Sequence, residues 1–213
     1  MSSMNEFIVI GGGGHARVVI SILRKLKGYS VLGYTDRTDH GTVMGASYLG
    51  PDSSLTSIVS ESRRLDAVLG VGQVGLGRLR QELWDRLVAH TLHFPRIFSI
   101  DAMVNDGVTG GEGAVVMEGA VINCGVTLGR GVIVNTNSTI EHDTVLGDWV
   151  HVAPGATVCG EATIGPYSMI GAGATVIEGK RIAACCVVGA GATVVHDLTE
   201  PGTYVGSPAR RIG

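Results

Sequence analysis

An acid, a histidine and a second acid stand together inside an otherwise small and aliphatic stretch of the sequence: Glu141, His142 and Asp143. A second histidine, His151, follows soon after. A histidine beside carboxylates is held in one tautomer and made more basic, and both properties suit a general base. A solvated surface ion pair is the alternative for such a cluster, so its interpretation depends on how the surrounding stretch folds.

The stretch around the cluster repeats every six residues. Stepping by six through residues 104–194 meets an aliphatic residue at every position except Gly110. A second column, two places earlier through residues 102–192, holds only small or β-branched residues apart from Lys180. This period predicts a hexapeptide β-helix, in which each hexad is a short strand with a turn and three hexads form one coil. Both columns then fill the interior.

The same pattern places the charged cluster outside the core. Ile140 belongs to the aliphatic column, so Glu141, His142 and Asp143 must occupy the outer wall and the corner that follows. Coils stack at the spacing of neighbouring strands, about 4.8 Å, and about five coils give a prism on the order of 24 Å tall. The repeat is therefore a scaffold, and the cluster is a candidate site on its surface.

The residues before the repeat alternate between apolar strands, glycine loops and helices. Residues 7–10 form a predicted buried strand, followed by the glycine loop "GGGGHA" and a helix with regularly spaced apolar residues. A second strand ends at Asp36, and residues 65–88 repeat the order of strand, loop and helix. We expect an α/β domain with a small Rossmann-like parallel sheet over residues 1–96, and the β-helix over residues 97–213.

Both glycine loops and Asp36 should lie at the carboxyl ends of the strands, where parallel sheets bind ligands. Gly11, Gly13 and Ala16 match the dinucleotide motif G-x-G-x-x-G/A, with Asp36 at the expected distance. The domain has room for only one mononucleotide-binding half, so a nucleotide-linked sugar fits better than NAD, and a structural turn is the other interpretation. The candidate substrate-binding residues here are Gly12, Gly13, Gly14, His15, Asp36, Arg37 and Gly72, and Arg78 and Arg80 are either phosphate contacts or exposed helix residues.

The composition excludes several classes of function. The net charge is −3 without a basic run, so no nucleic-acid partner is expected. No long apolar stretch or signal peptide is present, and we expect a cytoplasmic protein without membrane insertion. The four cysteines, Cys124, Cys159, Cys185 and Cys186, show no metal-binding spacing and are interpreted as small buried thiols.

Taken together, the motifs resemble one family, over essentially the whole chain. The glycine loop, the second strand ending in Asp, "IEHD" and "VHVAPGATVCG" in the repeat, and the closing "PGTYVGSPARRI" are similar to those of the bacterial sugar O- and N-acetyltransferases. The resemblance implies a left-handed β-helix, a homotrimer with active sites between subunits, and acetyl-CoA as cosubstrate. It implies acetylation of the 4-amino group of a UDP- or GDP-linked 4-amino-4,6-dideoxy sugar. The alternative is O-acetylation of a sugar such as sialic acid.

The resemblance also implies roles for individual residues. His142 corresponds to the general base, and Asp143 to the acid that polarises it. His151 lies near the sugar or the acetyl group, and Asn135 contacts the amino sugar. For acetyl-CoA, the resemblance implies His151 and also Gly160, whose N–H is offered to the thioester oxygen. The residues implied to line the pantetheine arm are Gly171, Ala172, Gly173, Gly189 and Gly191. Those implied to meet the adenine and phosphate end are Ser207, Pro208 and Arg210.

Two other classes of protein remain open at this point. A metal-dependent lyase on the same β-helix needs three converging ligands, usually histidines. His196 lies three coils from His142 in the same column, about 14 Å along the axis, so these two cannot share a metal within one chain, and no metal is expected. A non-catalytic binding protein could keep both domains, and there His142 would be replaceable without loss.

Overall fold

The computed structural model describes residues 5–61, 65–76, 78–88 and 92–212. The chain divides into two compact units. The first comprises Met1–Gly72 with Arg80–Ile100, and the second comprises Gln73–Leu79 with Asp101–Gly213. The short segment after the third strand therefore groups with the repeat. The predicted domain boundary at residues 96 and 97 stays a prediction.

The first unit is built on a three-stranded parallel sheet in the order β2-β1-β3. Its strands are β1 (Asn5–Ile10), β2 (Tyr29–Thr35) and β3 (Leu65–Leu69), and a short strand β4 (Ile97–Phe98) lies near its end. Its helices are α1 (Gly14–Lys25), α2 (Leu55–Glu61) and α3 (Arg78–Val88), and a short 3-10 turn (Asp52–Ser54) precedes α2. The buried face of α1 carries Ala16, Val19, Ile20, Ile22 and Leu23. As predicted, the two glycine loops and Asp36 follow the three parallel strands at one edge of the sheet.

The second unit is a parallel β-helix of about six turns. Its short strands are β5 (Met103–Val104), β6 (Thr109–Gly110), β7 (Val115–Val116), β8 (Val121–Ile122), β9 (Thr127–Leu128), β10 (Ile133–Val134), β11 (Thr139–Ile140), β12 (Val145–Leu146), β13 (His151–Val152), β14 (Thr157–Val158), β15 (Thr163–Ile164), β16 (Met169–Ile170), β17 (Thr175–Val176), β18 (Arg181–Ile182), β19 (Cys186–Val188) and β20 (Thr193–Val194), with β21 (Gly202–Val205) and an antiparallel β22 (Arg210–Ile212) closing the end.

The strands form three walls. Wall 1 contains β7, β10, β13, β16, β19, β21 and β22; wall 2 contains β5, β8, β11, β14, β17 and β20; wall 3 contains β6, β9, β12, β15 and β18. Thr139 pairs with Thr157, so one coil is three hexads, as the repeat predicts. The chain passes from wall 1 to wall 2 at corner 1–2, from wall 2 to wall 3 at corner 2–3, and back at corner 3–1.

Both predicted columns fill the interior. The aliphatic column is buried from Val116 to Val194. In the small column Ser138, Thr144 and Ser168 are fully buried, and each hydroxyl donates to a backbone carbonyl, which removes the cost of an unpaired polar group. The exception at Gly110 has a local cause, because its φ is +74° and a Cβ there would collide with the carbonyl oxygen of Leu128.

The cysteines are free thiols, but the prediction that all are buried is wrong. Cys186 is buried, Cys159 and Cys185 are half-buried, and Cys124 is exposed. Cys124 occupies a turn position at corner 2–3 rather than a core column, which explains its exposure. Among the helices of the described residues, none has the length and apolar composition that crossing a membrane requires.

Candidate active site

The predicted base and acid lie side by side at corner 2–3. The turn between β11 and β12 carries His142 and then Asp143, whose φ of +56° turns the chain. Nδ1 of His142 lies 3.0 Å from Oδ2 of Asp143, and the two side chains are 44% and 65% exposed. The N–H of Asp143 donates to the carbonyl of Cys124 in the coil below. The pair therefore sits on the surface, on a backbone held by its neighbouring coils.

Two glycines make room for this pair. A Cβ at Gly125, one coil below, would lie 2.5 Å from Oδ1 of Asp143. A Cβ at Gly160, one coil above, would lie 2.7 Å from Nε2 of His142. The imidazole thus rests against the Gly160 backbone, and the N–H of Glu161 donates to the carbonyl of His142 at 2.9 Å. The acid and the base are packed between glycines of the adjacent coils.

The contact with Asp143 fixes the tautomer of the neutral His142 ring. A carboxylate only accepts, so Nδ1 carries the proton and the lone pair of Nε2 faces Gly160. The hydrogen bond that His142 donates to Asp143 raises the pKa of His142. Burial opposes this rise, while the charges of Asp143, Glu141 and Glu161 add to it. The geometry and the raised pKa both suit a group that takes up a proton.

A polar ladder runs along the outside of wall 2 next to His142. Nδ2 of Asn123 donates to Oε2 of Glu141 at 2.8 Å. Oδ1 of Asn123 accepts from Nδ2 of Asn105 at 3.1 Å and from the N–H of Cys124 at 2.9 Å. The Glu141 carboxylate is therefore held in place by its neighbours one and two coils below.

His151 lies in a second, buried cluster. Its side chain begins β13 and is only 6% exposed. Nε2 lies 3.0 Å from Nδ2 of Asn135, and Nδ1 lies 3.0 Å from the carbonyl oxygen of Gln73. An amide N–H donates and a carbonyl accepts, so Nε2 of His151 accepts from Asn135 and Nδ1 donates to Gln73. Both ring nitrogens have protein partners, and a direct contact of His151 with substrate stays a prediction.

The two histidine clusters lie at different places on the prism. His142, Asp143 and Gly160 share corner 2–3, whereas Asn135 stands at corner 1–2 and His151 in wall 1. One side of the prism separates the two corners, on the order of 15–20 Å for a hexad at strand rise. One chain therefore does not bring all of the predicted site residues together.

The first glycine loop borders a pocket of about 330 Å³ in the first unit. Its lining is Gly12, Gly13, Gly14, Arg17, His40, Thr42 and Val43. Gly13 caps α1 without a side chain, and a Cβ at Gly13 or Gly14 would meet nothing within 4 Å. The N-terminus of α1 thus has open space at Gly13 and Gly14 beside Arg17 and His40, which is an arrangement suited to a phosphate group.

Asp36 has a local partner in the loop. The N–H of Gly12 donates to Oδ2 of Asp36 at 2.7 Å, and Nε2 of His40 lies 3.5 Å from the same oxygen. Burial would raise the pKa of Asp36, but the N–H groups of Gly12 and Thr38 and the charge of His40 hold it below its ordinary value. One loop amide is thereby occupied by Asp36, whereas the acid of the dinucleotide motif bonds the ribose of its ligand.

Other predicted residues of this domain lie beside the pocket or away from it. Arg37 is exposed and is not part of the lining, and Gly72 packs against the side chain of His15. Arg78 is exposed, as expected for a helix arginine. Arg80 is not, because it is 1% exposed and donates to the carbonyl of Val71. Burial lowers the pKa of Arg80 to about 9.

Comparison with known proteins decides the family. Residues 6–87 match the PglD N-terminal domain, and residues 125–160 match the bacterial transferase hexapeptide (six repeats). Among curated proteins no match was found. A histidine-to-asparagine variant of perosamine N-acetyltransferase from Caulobacter crescentus, solved with CoA and GDP-perosamine, is 33% identical, with a TM-score of 0.92 over 98% of this chain and 97% of that one. The chain belongs to the bacterial sugar acetyltransferase family.

Further solved structures agree with this assignment. The acetyltransferase domain of PglB from Neisseria gonorrhoeae FA1090, in complex with acetyl coenzyme A, is 32% identical, with a TM-score of 0.88 over 98% of this chain and 99% of that one. WeeI from Acinetobacter baumannii AYE, at 23% identity and a TM-score of 0.84 over 97% of this chain and 99% of that one, shows the same fold. The predicted enzyme class, an acetyl-CoA-dependent sugar acetyltransferase, is confirmed, whereas the roles of individual residues stay predictions.

For a sugar acetyltransferase, corner 1–2 is the predicted path of the pantetheine arm. Gly173 and Gly191 have φ of +64° and +67°, and a Cβ at either would meet nothing within 4 Å. Gly171 and Gly189 lack a side chain for a structural reason instead. A Cβ at Gly171 would lie 2.6 Å from the backbone of the next coil, and a Cβ at Gly189 would lie 2.8 Å from the side chain of Val205. The exposed corner, which includes Ala172, is therefore open to a ligand, while the glycines beneath it allow the coils to stack.

The predicted adenine end is tied to the last coil. The hydroxyl of Ser207 donates to Oγ1 of Thr193 at 3.0 Å, and the N–H of Ala209 donates to the Thr193 carbonyl at 2.7 Å. Pro208 and Arg210 are exposed beside these anchors. Within the described residues, no group of three or more His, Cys, Asp or Glu side chains is placed to hold a metal ion.

Sequence reasoning missed several residues of these sites. Gly125 and Asn123 lie 18 residues before Asp143 and Glu141, so stepping by one coil from the cluster would have found them. Arg17 stands one helical turn after Gly13, where a side chain at a helix start reaches the loop mouth. Gln73 carries no such signal, because it contacts His151 through its backbone carbonyl.

Proposed function

We propose that the chain transfers the acetyl group of acetyl-CoA directly to the 4-amino group of a UDP- or GDP-linked 4-amino-4,6-dideoxy sugar, with His142 as the general base. The observation that carries this proposal is the arrangement at corner 2–3. Asp143 holds the proton of His142 on Nδ1, and the unprotonated Nε2 faces the backbone of Gly160. A base with an orienting acid next to a peptide N–H is the arrangement that acyl transfer to an amine requires.

The chemistry needs no covalent intermediate. The amine attacks the thioester carbon while Nε2 of His142 removes one N–H proton, and Asp143 stabilises the resulting imidazolium. The C–S bond then breaks, and the imidazolium returns the proton to the leaving thiolate, which gives CoA and the acetamido sugar. Gly160 is buried, and no described residue accepts from its N–H. It is the proposed donor to the oxyanion, a role worth about 3 kcal/mol in comparable sites.

The pocket at the first glycine loop is the proposed site of the nucleotide. The N-terminus of α1, Arg17 and His40 face it and suit the charge of a diphosphate. PerB from Caulobacter crescentus, which is 34% identical, was solved with CoA and GDP-perosamine, and this supports a nucleotide-linked amino sugar as the acceptor. Asp36 orients the loop through Gly12 and completes the proposed site.

We also propose that the active unit is a homotrimer. Corner 2–3 carries the base and Gly160, whereas the residues predicted for the pantetheine arm lie at corner 1–2 and those predicted for the adenine and phosphate end lie in the closing motif. A neighbouring chain that apposes its corner 1–2 to corner 2–3 completes the site. Light scattering on purified protein should give the mass of three 22.0 kDa chains. A monomeric mass with full activity would contradict this proposal.

The function is tested by the release of free CoA thiol. Wild type and His142→Ala would be offered acetyl-CoA with a panel of UDP- and GDP-linked 4-amino-4,6-dideoxy sugars and free sialic acid. We expect turnover with one nucleotide amino sugar and its loss in the variant. His196→Ala is the matched control, since His196 is exposed at the same corner three coils away. Turnover with sialic acid alone would replace the N-acetyl proposal by O-acetylation.

A further inference from the structure

Glu141 and His142 both approach the peptide that joins Cys159 to Gly160 in the coil above. Nε2 of His142 lies 2.7 Å from the position that a Cβ of Gly160 would take. Ile140 pairs with Val158, so Glu141 stands directly below Cys159 on wall 2. Burial, and after it the charge of Glu141, raises the pKa of the Cys159 thiol, which agrees with this placement. A carboxylate and the proposed base therefore flank the proposed oxyanion donor.

Asn123 determines how Glu141 is presented. Its Oδ1 accepts from the N–H of Cys124 and from Asn105, so its amide nitrogen must face Glu141, where it donates to Oε2 at 2.8 Å. No described residue donates to Oε1 of Glu141, which is half-buried on the outer wall. The carboxylate is thus anchored by one oxygen and offers the other as an acceptor.

We propose that Glu141, positioned by Asn123, accepts a hydrogen bond from the second N–H of the attacking amine and thereby selects an amino group over a hydroxyl group. This inference rests on the proposed acetyl transfer to an amine. An amine carries two hydrogens, one for Nε2 of His142 and one for Oε1 of Glu141, and its lone pair is then directed at the thioester carbon. A hydroxyl group carries one hydrogen, so one of the two acceptors would lose its partner, which is costly in a closed site.

The proposed role keeps the transfer balanced. The nitrogen forms the C–N bond as the C–S bond breaks, and the proton taken by His142 ends on the thiol of CoA. The hydrogen bonded to Glu141 stays on the amide nitrogen of the product. Glu141 thus orients the nucleophile without gaining or losing a proton.

Glu141→Gln is the informative substitution, because Asn123 dictates the orientation of the new amide. The glutamine oxygen must accept from Asn123, so its NH₂ group faces the sugar. With an amino sugar, two hydrogen-bond donors then face each other. A hydroxyl acceptor can instead accept from this NH₂ group while it gives its own hydrogen to His142. The substitution should therefore penalise an amine and spare a hydroxyl group.

The experiment measures kcat/KM of wild type and Glu141→Gln with a nucleotide-linked 4-amino-4,6-dideoxy sugar and with its 4-hydroxy counterpart. We expect the amine value to fall about 10- to 100-fold and the amine-to-hydroxyl ratio to fall about 10-fold or more. Asn123→Ala should also lower kcat/KM with the amine and the amine-to-hydroxyl ratio, but by a smaller factor than Glu141→Gln. Glu178→Gln, the same change on an exposed carboxylate at corner 2–3, is the control and should leave both values unchanged.

The outcomes separate this inference from the proposed function. If wild type acetylates the amine and Glu141→Gln retains its activity and its ratio to within about two-fold, Glu141 does not select the acceptor, while the N-acetyl function stands. If wild type acetylates only the hydroxyl acceptor, both proposals are overturned. Unchanged thermal unfolding of the variants shows that any loss is not a loss of fold.

Discussion

The imidazole of His142 rests on Gly160, and a Cβ built at residue 160 would approach Nε2 to 2.7 Å. The two residues lie at the same corner in successive coils, 18 positions apart. Gly160 does not have a positive φ, so its lack of a side chain serves the contact with the ring rather than the turn. The position of the proposed base thus depends on the absence of a side chain in the coil above it.

Gly160→Ala should displace the imidazole and lower kcat about 100-fold or more, because a misplacement of the base by about 1 Å costs that much in comparable enzymes. The backbone itself tolerates alanine, so the thermal unfolding midpoint and the affinity for acetyl-CoA should stay close to those of wild type. Steady-state kinetics and calorimetry on the same preparation would test both expectations. An alanine variant with wild-type kcat would show that the ring is not held by this contact during catalysis.

Asp143→Asn should move the acid limb of the pH profile to lower pH. The proposed base works unprotonated, so kcat/KM falls as pH falls through the pKa of His142, which the hydrogen bond donated to Asp143 raises above its ordinary value. Asparagine tolerates the positive φ of residue 143 but carries no charge, so the pKa should drop toward the ordinary value and the limb should shift down. The plateau at high pH should also fall, since a weaker base is left.

The control for this substitution is Asp148→Asn. Asp148 accepts from the N–H of Arg130 at corner 3–1, one hexad further along the chain, and it is not among the causes of the raised pKa of His142. Its variant should keep the wild-type acid limb. A limb that does not move in Asp143→Asn would show that another group controls the profile.

The β-helix was predictable because its period is a direct consequence of its geometry. Six residues place Ile140 inside and Glu141 outside, so the interior and the exposure of the cluster follow from spacing alone. The same reasoning did not reveal the ladder through Asn123, because hydrogen bonds between side chains depend on rotamers as well as register. Reading the sequence in steps of one coil finds the candidates, but not their bonds.

The first unit was less predictable in detail. Its strands and glycine loops follow from apolar runs and glycines, but the buried face of α3 does not, and Arg80 is buried rather than exposed. The contact between His151 and the carbonyl of Gln73 joins residues 78 positions apart without any repeat between them. Such contacts require knowledge of how loops dock, which no local pattern contains.

Gly131→Ala should destabilise the fold more than Gly155→Ala. The two glycines have φ of +62° and +66°, so the strain of a left-handed alanine is common to both. A Cβ at Gly131 would collide with the ring of Trp149, which is 2% exposed, whereas a Cβ at Gly155 would meet nothing within 4 Å. The collision adds about 1–3 kcal/mol of overpacking, or several degrees in Tm. Equal midpoints for the two variants in thermal unfolding would contradict the packing of Trp149 on Gly131.

Substitution of the two histidines should separate stability from catalysis. His151→Ala would leave the amide of Asn135 and the carbonyl of Gln73 without their partner and open a cavity at a 6% exposed site, so unfolding free energy should fall by about 2–4 kcal/mol. The segment around Gln73 should also become more sensitive to protease. His142→Ala removes a half-exposed side chain and should change the unfolding midpoint little while it abolishes turnover. The reverse result, a stable His151→Ala and an unfolded His142→Ala, would mean that the buried cluster does not anchor this segment.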